Sequence, residues 1–363
     1  MIGAPFTFYL ALLGLLGGFV IGFVARRSNF CTLGAIEETY YGTERSRLRT
    51  WVLAIGVAVL GTQVLQFFGI IDLSQSIYLE PELRITGAVL GGMSFGLGMA
   101  LVGTCAFGML LRAGGGDMRA LVSTLVLGIV GYMTANGLFA YLGLWLVESG
   151  NVPLAGRSTS AISDLIFDSS PNSRFSVALV LSGGAIGWAL YSRRFLANRW
   201  AWATGLIFGL VIVYGWLVTG LAGQDGFEQV QLESYRFARP MGDTLVYAMT
   251  FSGAAITFPI GGILGVLLGA FLASMLDASF RFEAFDDPRE MRRHFGGSAL
   301  MGFGSVLALG CTIGQGMTGV STLSINSFLT VAAIAFSAWL GIRYLVEGEI
   351  PSLGQAISVF FKR

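Results

Sequence analysis

Three cysteines are the residues of this chain best suited to chemistry, and each begins the same short pattern. Cys31 lies in NFCTLGAIEE, Cys105 in LVGTCAFGML and Cys311 in LALGCTIGQGMTG. All three read C-x-x-G, ending at Gly34, Gly108 and Gly314. No C-x-x-C spacing supports a redox pair. A zinc site needs further His or Cys ligands, and the one histidine, His294, falls in a charged stretch expected to be a cytoplasmic loop. The charge-free runs around Cys105 and Cys311 hold no His, Asp or Glu to act as a base. No metal and no cofactor are therefore expected. Gly114, Gly115 and Gly116 with Asp117 read as a turn, because no G-x-x-x-x-G-K-S/T phosphate loop follows. The plain alternative is cysteine as a small apolar filler. Glycine supplies 52 of the 363 residues, too few for composition alone to put one three places after every cysteine.

A cysteine just after a glycine-containing break stands at the N-terminus of the next short helix. Unpaired N–H groups and the helix dipole favour an anion there. Glycine one turn further on lets a ligand or another helix come close. The thiol is a weak donor on a polarizable atom, suited to a soft acceptor such as sulfur. No Arg or Lys lies within 85–111 or 295–342. These features describe a path without a fixed cation for a small sulfur-containing anion, bound weakly enough to pass. Asn29 and Thr104, which precede cysteines, are candidate caps, and Gln315 is a candidate donor to an anion oxygen.

The elements that must position these residues belong to a membrane chain. Hydrophobic residues make up 54% of it and charged residues only 12%, with a mean hydropathy of +0.73. Charge-free stretches cover 1–25, 50–71, 85–111, 120–147, 175–192, 200–224, 244–276 and 295–342. A bilayer core takes about 20 apolar residues per helix, and an open sheet edge cannot survive in lipid. The expected fold class is an all-α polytopic membrane protein with about nine transmembrane helices plus short re-entrant helices. Residues 295–342 are enough for two spans, joined by the polar but uncharged GCTIGQGMTGVSTLSINSF. Arg26 and Arg27 follow the first stretch, and the later arginine-rich loops alternate with acidic ones. That pattern puts the N-terminus outside and the C-terminus in the cytoplasm. No basic region precedes the first stretch, so a cleavable signal peptide is not expected. A net charge of +1 and no basic tract give no reason to expect nucleic acid; the bilayer is the expected partner.

The chain also repeats itself. GLGMALVGTCAFGML (Gly96 to Leu110) matches GFGSVLALGCTIGQG (Gly302 to Gly316), and GFVIGFVARRSNFCTLG (Gly18 to Gly34) resembles GLIFGLVIVYGWLVTGL (Gly205 to Leu221), with Val218 in place of Cys31. The alternating loops make the copies inverted, a hallmark of transporters. The expectation is one transmembrane domain over 1–363, with pseudo-repeat halves at approximately 1–173 and 174–349. The end, 350–363, is expected to lie along the inner interface.

Three C-x-x-G cysteines, the approach GLGMALVGTC, its second copy LALGCTIGQG and the early SNFCTLG resemble the YeeE/YedE family of bacterial inner-membrane proteins over nearly the whole chain. The resemblance implies an hourglass of two inverted halves, with short helices pointing inward and Cys31, Cys105 and Cys311 lining the constriction. It also implies uptake of thiosulfate by S–H···S hydrogen bonds, without covalent chemistry, and delivery to a cytoplasmic sulfur-carrier protein of the TusA-like kind. Other members are linked to selenium compounds, which leaves the substrate open. The chain is expected not to be an enzyme. The enzymatic alternative is a membrane-bound sulfurtransferase using a cysteine persulfide.

Overall fold

The computed structural model describes residues 5–42, 45–154, 159–166, 171–224, 230–251 and 255–348. The expected interfacial segment 350–363 lies outside the described residues. The first helices are α1 Pro5–Ser28, α2 Thr32–Tyr41, α3 Ser46–Phe67, α4 Gly92–Val102 with a π-helical turn Gly87–Gly91 before it, and α5 Ala106–Gly114. Next come α6 Met118–Asn136, α7 Ala140–Glu148, α8 Ile162–Ile166, α9 Pro171–Leu190, α10 Arg193–Ala197 and α11 Arg199–Gln224. The last are α12 Ala238–Met249, α13 Phe258–Leu276, α14 Pro288–Leu307, a π-helical turn Gly314–Gly319 and α15 Ile325–Glu347. A small antiparallel ribbon pairs β1 Glu82–Arg84 with β2 Asn151–Pro153.

The chain is an all-α polytopic membrane protein. Eight helical stretches among the described residues are long and apolar enough to cross a bilayer, against the nine or so expected. The difference falls at α14, whose first turns carry Arg289, Glu290, Arg292 and Arg293. His294 is not in a loop, as its charged neighbours suggested. It lies in α14, buried, with Nδ1 3.2 Å from the Ser123 hydroxyl.

Without a hydrophobic drive between helices in lipid, small residues let backbones approach and gain dispersion contacts. The seam between α1 and α13 is built this way. A Cβ at Gly14, Gly18 or Gly22 would fall 2.3, 2.3 and 2.5 Å from the carbonyl oxygens of Phe258, Gly262 and Val266. From the other side, one at Gly261, Gly265 or Gly269 would fall 1.9, 2.2 and 2.2 Å from those of Ala11, Leu15 and Phe19. The partners advance together, so the two helices run parallel. Arg27 and Asp277 latch their ends at 2.7 Å, and the hydrogen bond from Arg27 holds the Asp277 carboxyl below the usual carboxylate range. α11 packs on α3 in the same fashion, with Gly209 against Ala54. α4 meets α14 antiparallel, Gly98 against Gly297 and Gly91 against Gly304. α15 packs on α4, and α14 on α6.

α11 runs unbroken through Val218, whereas α1 stops at Ser28. Val218 therefore begins no short helix as Cys31 does. The short helix that follows α11 starts at Ala238, after a non-helical approach over 230–237 whose residues from Leu232 onward are buried.

Candidate functional site

Each cysteine sits in the same local construction. Two residues before it the backbone is left-handed: Asn29 at φ 51°, Gly103 at φ 79° and Leu309 at φ 56°. This closes the preceding helix, with the Phe30 N–H donating to Ala25 O at 3.0 Å, Gly103 to Met99 O at 3.0 Å and Gly310 to Ser305 O at 2.8 Å. The cysteine is then the N-cap of the next helical turn. Its carbonyl accepts from the residue four places on, Ala35, Met109 or Gln315. Its sulfur accepts the N–H of the C-x-x-G glycine, at 3.5 Å from Gly34, 3.4 Å from Gly108 and 3.5 Å from Gly314. The third short helix carries the π-helical turn Gly314–Gly319, a feature frequent at functional sites.

The candidate caps are thus reassigned. The thiols themselves cap the short helices; Asn29 supplies the left-handed turn and Thr104 stands against Gly108. A leucine at positive φ costs of order 1 kcal/mol or more, so Leu309 marks a turn held by its surroundings, one with no signature in the sequence. Gln315 is engaged within the protein: its amide N–H donates to Ala308 O, and its Oε1 accepts from Ser327 Oγ at 2.6 Å. It braces the third break.

These starts converge. Thr32 Oγ1 lies 3.7 Å from Cys105 Sγ and 3.4 Å from Thr312 Oγ1, so the first residues of all three short helices meet. Cys105 and Cys311 are 1% and 0% exposed, while Cys31 is partly open. A fourth helix start joins them, since the backbone N–H groups of Phe237 and Ala238 at the head of α12 face the Cys311 sulfur. Thr318 Oγ1 donates to Tyr235 O at 2.6 Å, tying that approach to the π-helical turn.

Cys31 opens onto two cavities, of about 270 and 320 Å³, that share Asn29, Phe30 and Arg47. The first also takes in Arg26, Glu37 and Arg112, and the second Arg27, Glu38 and Trp51. Arginines stand beside two of the C-x-x-G glycines, although none lies within the charge-free runs themselves. A Cβ on Gly34 would meet Arg47 Nη1 at 2.4 Å, and one on Gly314 would meet Arg236 Cβ at 3.1 Å. Both arginines come from segments other than the cysteine-bearing runs, so a search of those runs passes over them. Chemically, the arrangement offers converging helix dipoles, soft sulfur atoms and the Arg47 guanidinium beside Gly34.

The profile of a family described as Sulphur transport matches residues 27–340. The chain is 25% identical over 356 residues to the thiosulfate transporter TsuA of Escherichia coli (strain K12), an alignment covering 94% of this chain and 93% of the relative. It is 26% identical over 343 residues to the thiosulfate transporter TsuA of Spirochaeta thermophila, covering 90% and 96%. Similarity to the autoinducer 2 import system permease protein LsrC of Yersinia pseudotuberculosis is 24% over 263 residues, covering 69% and 73%.

Proposed function

The chain belongs to the Sulphur transport family, and from that premise we propose that it takes up thiosulfate across the bacterial inner membrane through the cysteine-capped constriction. The observation that carries this reading is the meeting of three thiol-capped helix starts at Thr32. Each helix N-terminus supplies about half a positive charge. Several together offset much of a dianion whose burial in low dielectric would otherwise be prohibitive. The thiols serve as S–H donors to the sulfane sulfur, and the anion passes without a covalent bond. Cys105 is the middle station, with Cys311 on one side and Cys31 at the arginine-lined cavities on the other. By the positive-inside rule those cavities face the cytoplasm, where a TusA-like sulfur carrier would receive the product.

The inverted-repeat reading, with halves near 1–173 and 174–349 forming an hourglass, draws support from the packing. α1 on α13 has its counterpart in α11 on α3, α4 on α15 in α14 on α6, and α4 meets α14 antiparallel. Under this pairing Cys105 and Cys311 are equivalents, and the head of α12 stands where Cys31 does.

Uptake of labelled thiosulfate by a host lacking its own thiosulfate importers tests the reading. Sulfate has the same charge and similar size but no soft terminal sulfur, so it is expected to inhibit uptake far less than unlabelled thiosulfate at the same concentration. Equal inhibition by unlabelled sulfate and thiosulfate would show that charge alone is recognised.

A further inference from the structure

We propose that Arg236 is an anion-recognition residue beside Cys311, and that Glu233 is its built-in competitor, displaced from the guanidinium when a dianion binds. This deepens the reading of the constriction as an anion path and rests on it. Arg236 and Glu233 are 9% and 7% exposed, and Arg236 Nη2 lies 2.7 Å from Glu233 Oε2. The pair is nonetheless incompletely satisfied: Arg236 Nε has no hydrogen-bond partner among the described residues. Tyr78 Oη, on a side chain 3% exposed, is likewise unpartnered. Arg236 and Tyr78 both stand against Gly314, where an added Cβ would lie 3.1 Å from Arg236 Cβ and 3.7 Å from Tyr78 Oη. Gly314 is the residue whose N–H binds the Cys311 sulfur.

A buried ion pair is weak evidence for stability, because desolvation can exceed the Coulombic gain. Half-satisfied polar groups in low dielectric make that balance worse. What the cluster does offer is two unused donors, the Nε–H and the phenol O–H. Donors alone, beside a guanidinium, fit the oxygens of a small oxyanion. A lone buried arginine would hold a dianion too tightly for passage. Glu233 prevents that: its carboxylate leaves Arg236 as the anion's oxygens arrive and returns as the anion moves on toward the thiols. Arg239 and Asp243 of α12 are the other charged groups near Glu233, and they act on it in opposite directions. The exchange moves no proton and breaks no covalent bond.

The test measures binding of sodium thiosulfate and of sodium sulfate to the purified full-length protein by calorimetry, alongside thiosulfate uptake in proteoliposomes. Glu233→Gln is expected to tighten both dianions by about tenfold, the scale of one charged hydrogen bond. Arg236→Gln alone leaves a buried carboxylate unpaired and risks misfolding, so the uncharged double variant Glu233→Gln/Arg236→Gln is the decisive one. It is expected to weaken both dianions by about tenfold or more relative to the wild type. Wild-type dissociation constants in the double variant overturn the proposal, even where Cys311→Ser has lost uptake and the cysteine path stands. If the double variant loses dianion binding while wild-type proteoliposomes take up no thiosulfate, the recognition site stands and the transport reading falls.

Discussion

Alanine at Cys105 or at Cys311 is expected to cut thiosulfate uptake by about tenfold or more while leaving the protein abundant in the membrane. A hydrogen bond to a charged partner is worth about 1.5–3 kcal/mol, and each 1.4 kcal/mol or so lost at the limiting barrier is a tenfold loss of rate. Both sulfurs are sealed in the interior, so water cannot easily replace them as donors. Each also caps a helix, with N–H to sulfur distances of 3.4 and 3.5 Å. Loss of a cap costs about 0.5–2 kcal/mol, which predicts a modest loss of stability and not a loss of fold. Serine separates the two roles, because its oxygen keeps the cap but is a hard donor. Cys105→Ser and Cys311→Ser should fold as the wild type does and still transport poorly. Cys31→Ala should be milder, since that thiol lies at the rim of open cavities. The readout is growth on thiosulfate as sole sulfur source, with labelled uptake and immunoblotting of membranes. Wild-type uptake by both serine variants would mean that the capped helix dipoles suffice and the thiols have no part in selectivity.

The repeated C-x-x-G was legible because its cause is local. A cap and a glycine one turn later are set by residues a few positions apart, and so are the breaks before Cys105 and Cys311. What escaped the sequence was assembled from a distance. Arg47 lies in the first turn of α3 and Arg236 in the non-helical approach to α12, and only the fold lays them on Gly34 and Gly314. The likeness of residues 18–34 to 205–221 does not extend to a second break. α11 continues past Val218 as an ordinary span, and its short partner begins twenty residues later at Ala238. Gln315 looked like a ligand donor because a polar side chain in an apolar run invites that reading. The structure uses it to tie a break to α15. The spacing of Gly14, Gly18 and Gly22, and of Gly261, Gly265 and Gly269, was visible all along. Its meaning depends on which helix it faces, and single-chain periodicity does not name the partner.

That spacing carries the second large expectation: Gly265→Leu should abolish accumulation of folded protein, whereas Gly184→Leu should leave it unchanged. An ideal Cβ at Gly265 falls 2.2 Å from Leu15 O and 2.7 Å from Phe19 N, both backbone atoms that no rotamer change can move aside. α1 and α13 would have to part along the seam. Overpacking of this kind costs typically 1–3 kcal/mol at one site and more when the backbone itself must shift. The dispersion contacts of the neighbouring glycines on both helices are forfeited as well. The seam also sets where α1 ends, and with it the turn at Asn29 and the cap at Cys31, so partial separation would open the constriction before the bundle falls apart. At Gly184 on α9 nothing lies within 4 Å of the added atom, and leucine there adds only an apolar group to the outer face of the bundle. Fluorescence-detected size-exclusion chromatography of solubilised membranes compares the two directly. A monodisperse peak of equal height for both variants would mean that α1 and α13 do not meet through their glycines.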